Sequence, residues 1–146
     1  MRVRDFCDKN ATLEQLIRDL RKNLDEARSS GLDLSEVHPP KDSQTYRYQD
    51  DLRFSCSHVL TRFINKYGGN FQHPSELLKE ILELSDQAVT LFGEFKPARD
   101  YVERNMALMV QMVASENGLE AIPEEYRHLM DYKLPNGMSE SIRHSR

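Results

Sequence analysis

Apolar residues return at helical intervals in four stretches of the chain. Leu13, Leu16, Ile17, Leu20, Leu24 and Ala27 fall three or four apart, which places them on one face of a helix. Arg18, Asp19, Arg21, Lys22, Asp25 and Glu26 fill the opposite, solvated face. Thr12 with Gln15 three residues on has the form of a capping box, and Gly31 suits the left-handed position after a helix end. The spacing predicts a helix over residues 13–29. A second stripe of Tyr48, Leu52, Cys56, Val59, Leu60, Phe63, Ile64 and Tyr67 predicts a helix from near Ser43 or Thr45 to Tyr67, stopped by Gly68-Gly69. Between the two, Pro39-Pro40 forbids helix and marks a loop over residues 31–43.

The third stripe begins at Pro74, a residue suited to the first helical position because its missing N–H would have no partner there. Leu77, Leu78, Ile81, Leu82, Leu84, Ala88, Val89, Leu91 and Phe92 make an unusually wide apolar face, ended by Gly93. Pro97 opens the fourth helix in the same way. Ala98, Tyr101, Val102, Met106, Met109, Val110 and Val113 run down one side, with Leu108 and Met112 beside them, until Gly118. Pro123 introduces a short fifth helix to about Asp131, carrying Tyr126, Leu129 and Met130, and Leu134-Pro135-Asn136-Gly137 reads as a turn. Residues 3–8 fit a lead-in turn with Val3, Phe6 and Cys7 on its apolar side. Nowhere does the period of two that marks a strand occur. The expected fold is all-α: a single-domain bundle of four principal helices plus a short C-terminal helix, spanning residues 1–137. Residues 138–146 carry no apolar stripe and are expected to be a disordered tail.

Composition narrows the function classes. A chain of 146 residues, 38% hydrophobic and 30% charged, can bury a core without disulfide or metal. Its net charge of −4 is spread along the sequence, so no basic run marks a nucleic-acid or membrane surface. Cys7 and Cys56 form no Cys-x-x-Cys pair, which removes the common zinc and redox motifs. A disulfide between them stays open on sequence grounds, although two scattered cysteines suit a reducing compartment equally well. Without an apolar leader region or a membrane-length apolar run, the expected location is the cytoplasm. Neither a metal nor a cofactor is implied.

One local pattern carries candidate chemistry. Arg53-Phe54-Ser55-Cys56-Ser57-His58 places an arginine, an apolar residue, three further residues and a histidine inside the second helix. These six residues resemble the motif of the HEPN-type ribonucleases, small helical bundles. The resemblance implies metal-independent RNA cleavage by attack of the ribose 2′-hydroxyl at a dimer interface, with Arg53 and His58 as the catalytic pair. On a helical wheel, at roughly 100° per residue, those two side chains stand about 140° apart. His58 then lies opposite the apolar stripe as a solvated histidine, and Arg53 runs along the core's edge. Cys56 and His58 at i and i+2 point to different sides and cannot chelate one ion. The carboxylate pairs Asp50-Asp51, Glu80 with Glu83, and Glu124-Glu125 read as surface.

Without a strong catalytic constellation, the leading expectation is a non-catalytic helical interaction protein: a subunit, adaptor or small regulator. Its partner would be another protein or a second copy of the chain, held through the surplus apolar width of helices three and four. Leu77, Leu84, Leu91, Met106, Met109 and Met112 are the candidate contact residues. The methionines fit core packing as well as an adaptable binding surface.

Overall fold

The helices form where the stripes place them. A computed structural model describes residues 11–67 and 75–134, and contains α1 (Leu13–Ser29), α2 (Gln44–Tyr67), α3 (Ser75–Phe92) and α4 (Lys96–Asn117). The capping box of α1 is made: Gln15 N donates to Thr12 Oγ1 at 3.2 Å, and Thr12 N donates to Gln15 Oε1 at 2.8 Å. Pro97 lies in the first turn of α4. No strand occurs among the described residues, and no helix among them is long and apolar enough to cross a membrane. The lead-in turn at residues 3–8, Pro74, the turn beyond Leu134 and the tail at 138–146 lie outside the described residues.

Side-chain pairs fix the direction of each helix. Asn23 donates to Ser55 at 2.7 Å and Lys66 meets Glu14 at 3.5 Å, so α1 and α2 are antiparallel. Arg21 donates to Glu80 at 2.8 Å and Arg28 reaches the Gln87 side chain, so α1 and α3 run parallel. On the opposite side α2 and α4 are also parallel: Phe95 and Ala98 share a small cleft with Gln49 and Arg53, and Tyr101 donates to Ser57 at 3.1 Å. Around the bundle the order is α1, α2, α4, α3, with a thinner seam where α3 closes on α1.

The two long-range turns are tied together. Leu34 inserts into the core, and Gln49 Nε2 donates to the carbonyls of Leu34 at 2.9 Å and Glu36 at 3.0 Å. Gly93, between α3 and α4, has φ +46°, and a Cβ there would meet Ser35 Cβ at 3.1 Å. Both the left-handed backbone and this close approach favour glycine.

This layout changes three expectations. Asp50 and Asp51 are not surface residues; they are only 4% and 9% exposed. Helix α2 is enclosed by α1 on one side and α4 on the other, so little of its circumference reaches water. Most of the wide stripe of α3 is accounted for inside the chain, with Val89 left half-buried. Leu78, Ile81 and Leu82 face the core, Leu84 joins Leu24 under the α1–α3 seam, and Leu77 and Leu91 pack half-buried against the core. The third change lies after α4, where the short helix expected at 123–131 forms at Glu124–Asp131 but as a 3₁₀ helix, preceded by a 3₁₀ turn at Leu119–Ala121. With three residues per turn, Tyr126 and Leu129 stack on the buried side. Met130, which an α-helical register would bury, is 37% exposed.

Candidate functional site

The 3₁₀ helix builds a third wall beside α3 and α4. Ile122 is fully buried and anchors its start, and Arg127 Nε donates to the Ile122 carbonyl at 3.0 Å. Gln111 of α4 holds its far end, donating from Nε2 to Leu129 O at 3.1 Å and to Tyr132 O at 2.8 Å. Lys79 of α3 faces Glu125 at 3.9 Å. Between the three elements lies a groove of about 470 Å³. That volume falls in the range of small-ligand and side-chain pockets.

Its floor is apolar: Val89 from α3, Met106 from α4, and Tyr126, Leu129 and Tyr132 from the third wall. Its rim is acidic, formed by Asp86, Glu103, Glu125 and Asp131, with His128 beside them. Glu103 is shared with Arg99 at 3.7 Å. Taking in the charges felt by the two tyrosines, the acids are Glu83, Asp86, Asp100, Glu103, Glu125 and Asp131. The bases are Lys79, Arg99 and Arg104, half as many. Both tyrosine hydroxyls are raised, by burial first and by the acids second. Burial, then Asp86, Glu83 and Glu125, push the Tyr126 hydroxyl up to about 12. Burial, then Glu103 and Asp100, raise Tyr132 against the opposing pull of Arg104 and Arg99. A groove with an apolar floor and a negative rim attracts a cation that carries apolar surface.

The residues expected to touch a partner are mostly spent on the fold. Met109 and Met112 are buried in the core and Leu84 lies under the α1–α3 seam. Leu77 and Leu91 are half-buried and do not line the groove. Of the six, Met106 alone reaches the groove, as part of its floor while 4% exposed. Sequence reasoning missed Val89, Tyr132 and the acidic rim as a site. The available signal was Tyr126, Leu129 and Tyr132 at intervals of three, the 3₁₀ repeat.

Arg53 and His58 are committed elsewhere. Arg53 Nη2 donates to the buried Asp50 carboxylate at 2.9 Å, and its guanidinium lies 5.2 Å from the Phe54 ring centre and 5.6 Å from that of Tyr101. The cleft beside it holds about 40 Å³, room for a water and not for a nucleotide. His58 is half-buried rather than solvated; it borders Phe54 at 6.3 Å, and burial lowers its pKa below the usual 6.5. Cys56 carries a free thiol in the core, pushed up to about 12 by burial despite a hydrogen bond with Ser85. Cys7, the other cysteine of the chain, lies outside the described residues. The described residues contain no group of His, Cys, Asp and Glu able to hold a metal ion.

No family model matches the chain, and neither does any curated protein or solved structure.

Proposed function

We propose that this chain is a non-catalytic helical interaction protein whose contact site is the groove between α3, α4 and the 3₁₀ helix. The observation that carries the reading is the open apolar floor of Val89, Met106 and Leu129, ringed by charge, on a bundle whose other wide stripes are covered from within. The methionine on that floor adapts its shape to a partner's side chains. Rigid helices supply two walls, and the third hangs on Gln111 and Ile122, so the groove is formed before a partner arrives.

The test is comparative capture from extract of the native cell. Wild-type chain and a Val89→Trp variant, which fills the groove from α3, are each immobilised, and retained proteins are identified by mass. A dominant partner retained by wild type and lost from Val89→Trp supports the reading. A partner retained equally by both places the contact site on another face, and the reading fails.

A further inference from the structure

Charge and shape together narrow the groove's occupant. Its floor has room for roughly one or two large apolar side chains within about 470 Å³. Around that floor the carboxylates come from three separate elements: Asp86 from α3, Glu103 from α4, and Glu125 and Asp131 from the 3₁₀ helix. Acids dispersed on all sides meet charges that flank an anchor on both sides, as successive residues of a peptide do. A compact amine would engage one side only. Asp86, Glu125 and Asp131 are exposed, so their charge faces arriving partners.

Resting on the groove being the contact site, we infer that it takes a short basic segment of another protein, with a large apolar residue seated on Val89, Met106 and Leu129 and flanking lysines or arginines against Asp86, Glu103 and Asp131. Tyr126 and Tyr132 line the same groove and supply aromatic surface for the stems of those basic side chains. Attraction by the rim raises the association rate, and burial of the anchor holds the complex. An acidic segment is repelled by the same rim, which gives the groove a selectivity its apolar floor alone lacks.

The experiment selects binders to the full chain from a phage-displayed library of random short peptides, then measures a fluorescently labelled selected peptide by anisotropy. The expected peptides carry Leu, Ile, Met or Phe flanked by Lys or Arg. Their affinity falls about tenfold or more in an Asp86→Lys/Asp131→Lys variant at low salt, and the difference narrows as salt rises. Both positions are exposed, and circular dichroism of the variant checks that the bundle is intact. Selected peptides without basic enrichment that are still lost in Val89→Trp would overturn the inference and leave the contact site standing. Peptides unaffected by Val89→Trp, or no selected peptide at all, would overturn both. Spermine, a cation without an apolar anchor, is the control: displacement of the peptide by micromolar spermine would show that charge alone fills the groove, and would overturn the anchored peptide.

Discussion

Replacing Gln111 with leucine removes the tie on the groove's third wall while keeping a side chain of similar size. Two hydrogen bonds disappear, from Nε2 to Leu129 O at 3.1 Å and to Tyr132 O at 2.8 Å. Each contributes about 0.5–1.5 kcal/mol net, and a carbonyl left without a partner in a dry site costs roughly 1–3 kcal/mol. Both carbonyls lie at partly buried positions where water replaces some of the lost bonding, so the low end of these ranges applies. The expected loss is about 2 kcal/mol for the pair. At 1.4 kcal/mol per tenfold change, the undocked population of the 3₁₀ helix rises about 30-fold. Native-state hydrogen exchange followed by NMR reads this at two amides. Tyr126 N donates to Pro123 O at 3.0 Å and Tyr132 N to Leu129 O at 3.2 Å. Both amides exchange about 30-fold faster in Gln111→Leu, and that of Val59 in the core of α2, which opens only with the whole bundle, stays the more protected of the three in wild type and variant alike. The melting temperature falls by no more than about 4–8 °C. Unchanged exchange at Tyr126 and Tyr132 would refute the role given to Gln111. Protection at Tyr126 and Tyr132 as high as at Val59 in wild type would show that the wall and the bundle unfold as one unit.

Three further outcomes follow from the same packing. Cys56, buried and with its thiol pushed up to about 12, resists alkylation by iodoacetamide at pH 8 in the native protein and reacts once the chain is unfolded in guanidinium; rapid native labelling would contradict its burial. His58 has its pKa lowered by burial, so the unfolded chain binds the proton more readily. Its contribution to stability is complete above the unfolded value of about 6.5 and is lost as pH falls below that toward the folded value. Wild type therefore loses more melting temperature than His58→Gln between pH 7.5 and 5, and parallel curves would contradict the shift. Purified protein leaves single-stranded RNA uncut in the absence of metal, because Arg53 is held by Asp50; cleavage abolished by both Arg53→Ala and His58→Ala would establish the ribonuclease reading instead.

The helices were legible because each stripe holds the helical spacing along its whole length. Leu13 to Ala27 in α1 and the Thr12 cap follow from local rules alone. The environment of α2 was not legible, since Asp50 and Asp51 are buried by α4 and α1, and no local pattern says which helices become neighbours. The order α1, α2, α4, α3 also covers Leu84 and the methionines, which in one dimension look like surplus. The groove stayed hidden for a related reason. Its walls come from Asp86 and Val89, from Glu103 and Met106, and from residues 125–132, which only the tertiary fold brings together. The 3₁₀ register mattered too: a period of three turns Tyr132 inward beside Leu129 and leaves Met130 outside, whereas a period of 3.6 favours Met130.

The most direct measurement of the central claim is chemical-shift mapping of the labelled chain as a captured partner, or a peptide from it, is titrated in. Amides of Asp86 and Val89, of Glu103 and Met106, and of Tyr126 to Tyr132 are predicted to shift together along one saturating curve, with α1 and the exposed face of α2 unmoved. Shifts concentrated instead along the α1–α3 seam at Arg21, Arg28, Glu80 and Gln87, or confined to α2 around Arg53 and His58, would contradict the groove as the contact site.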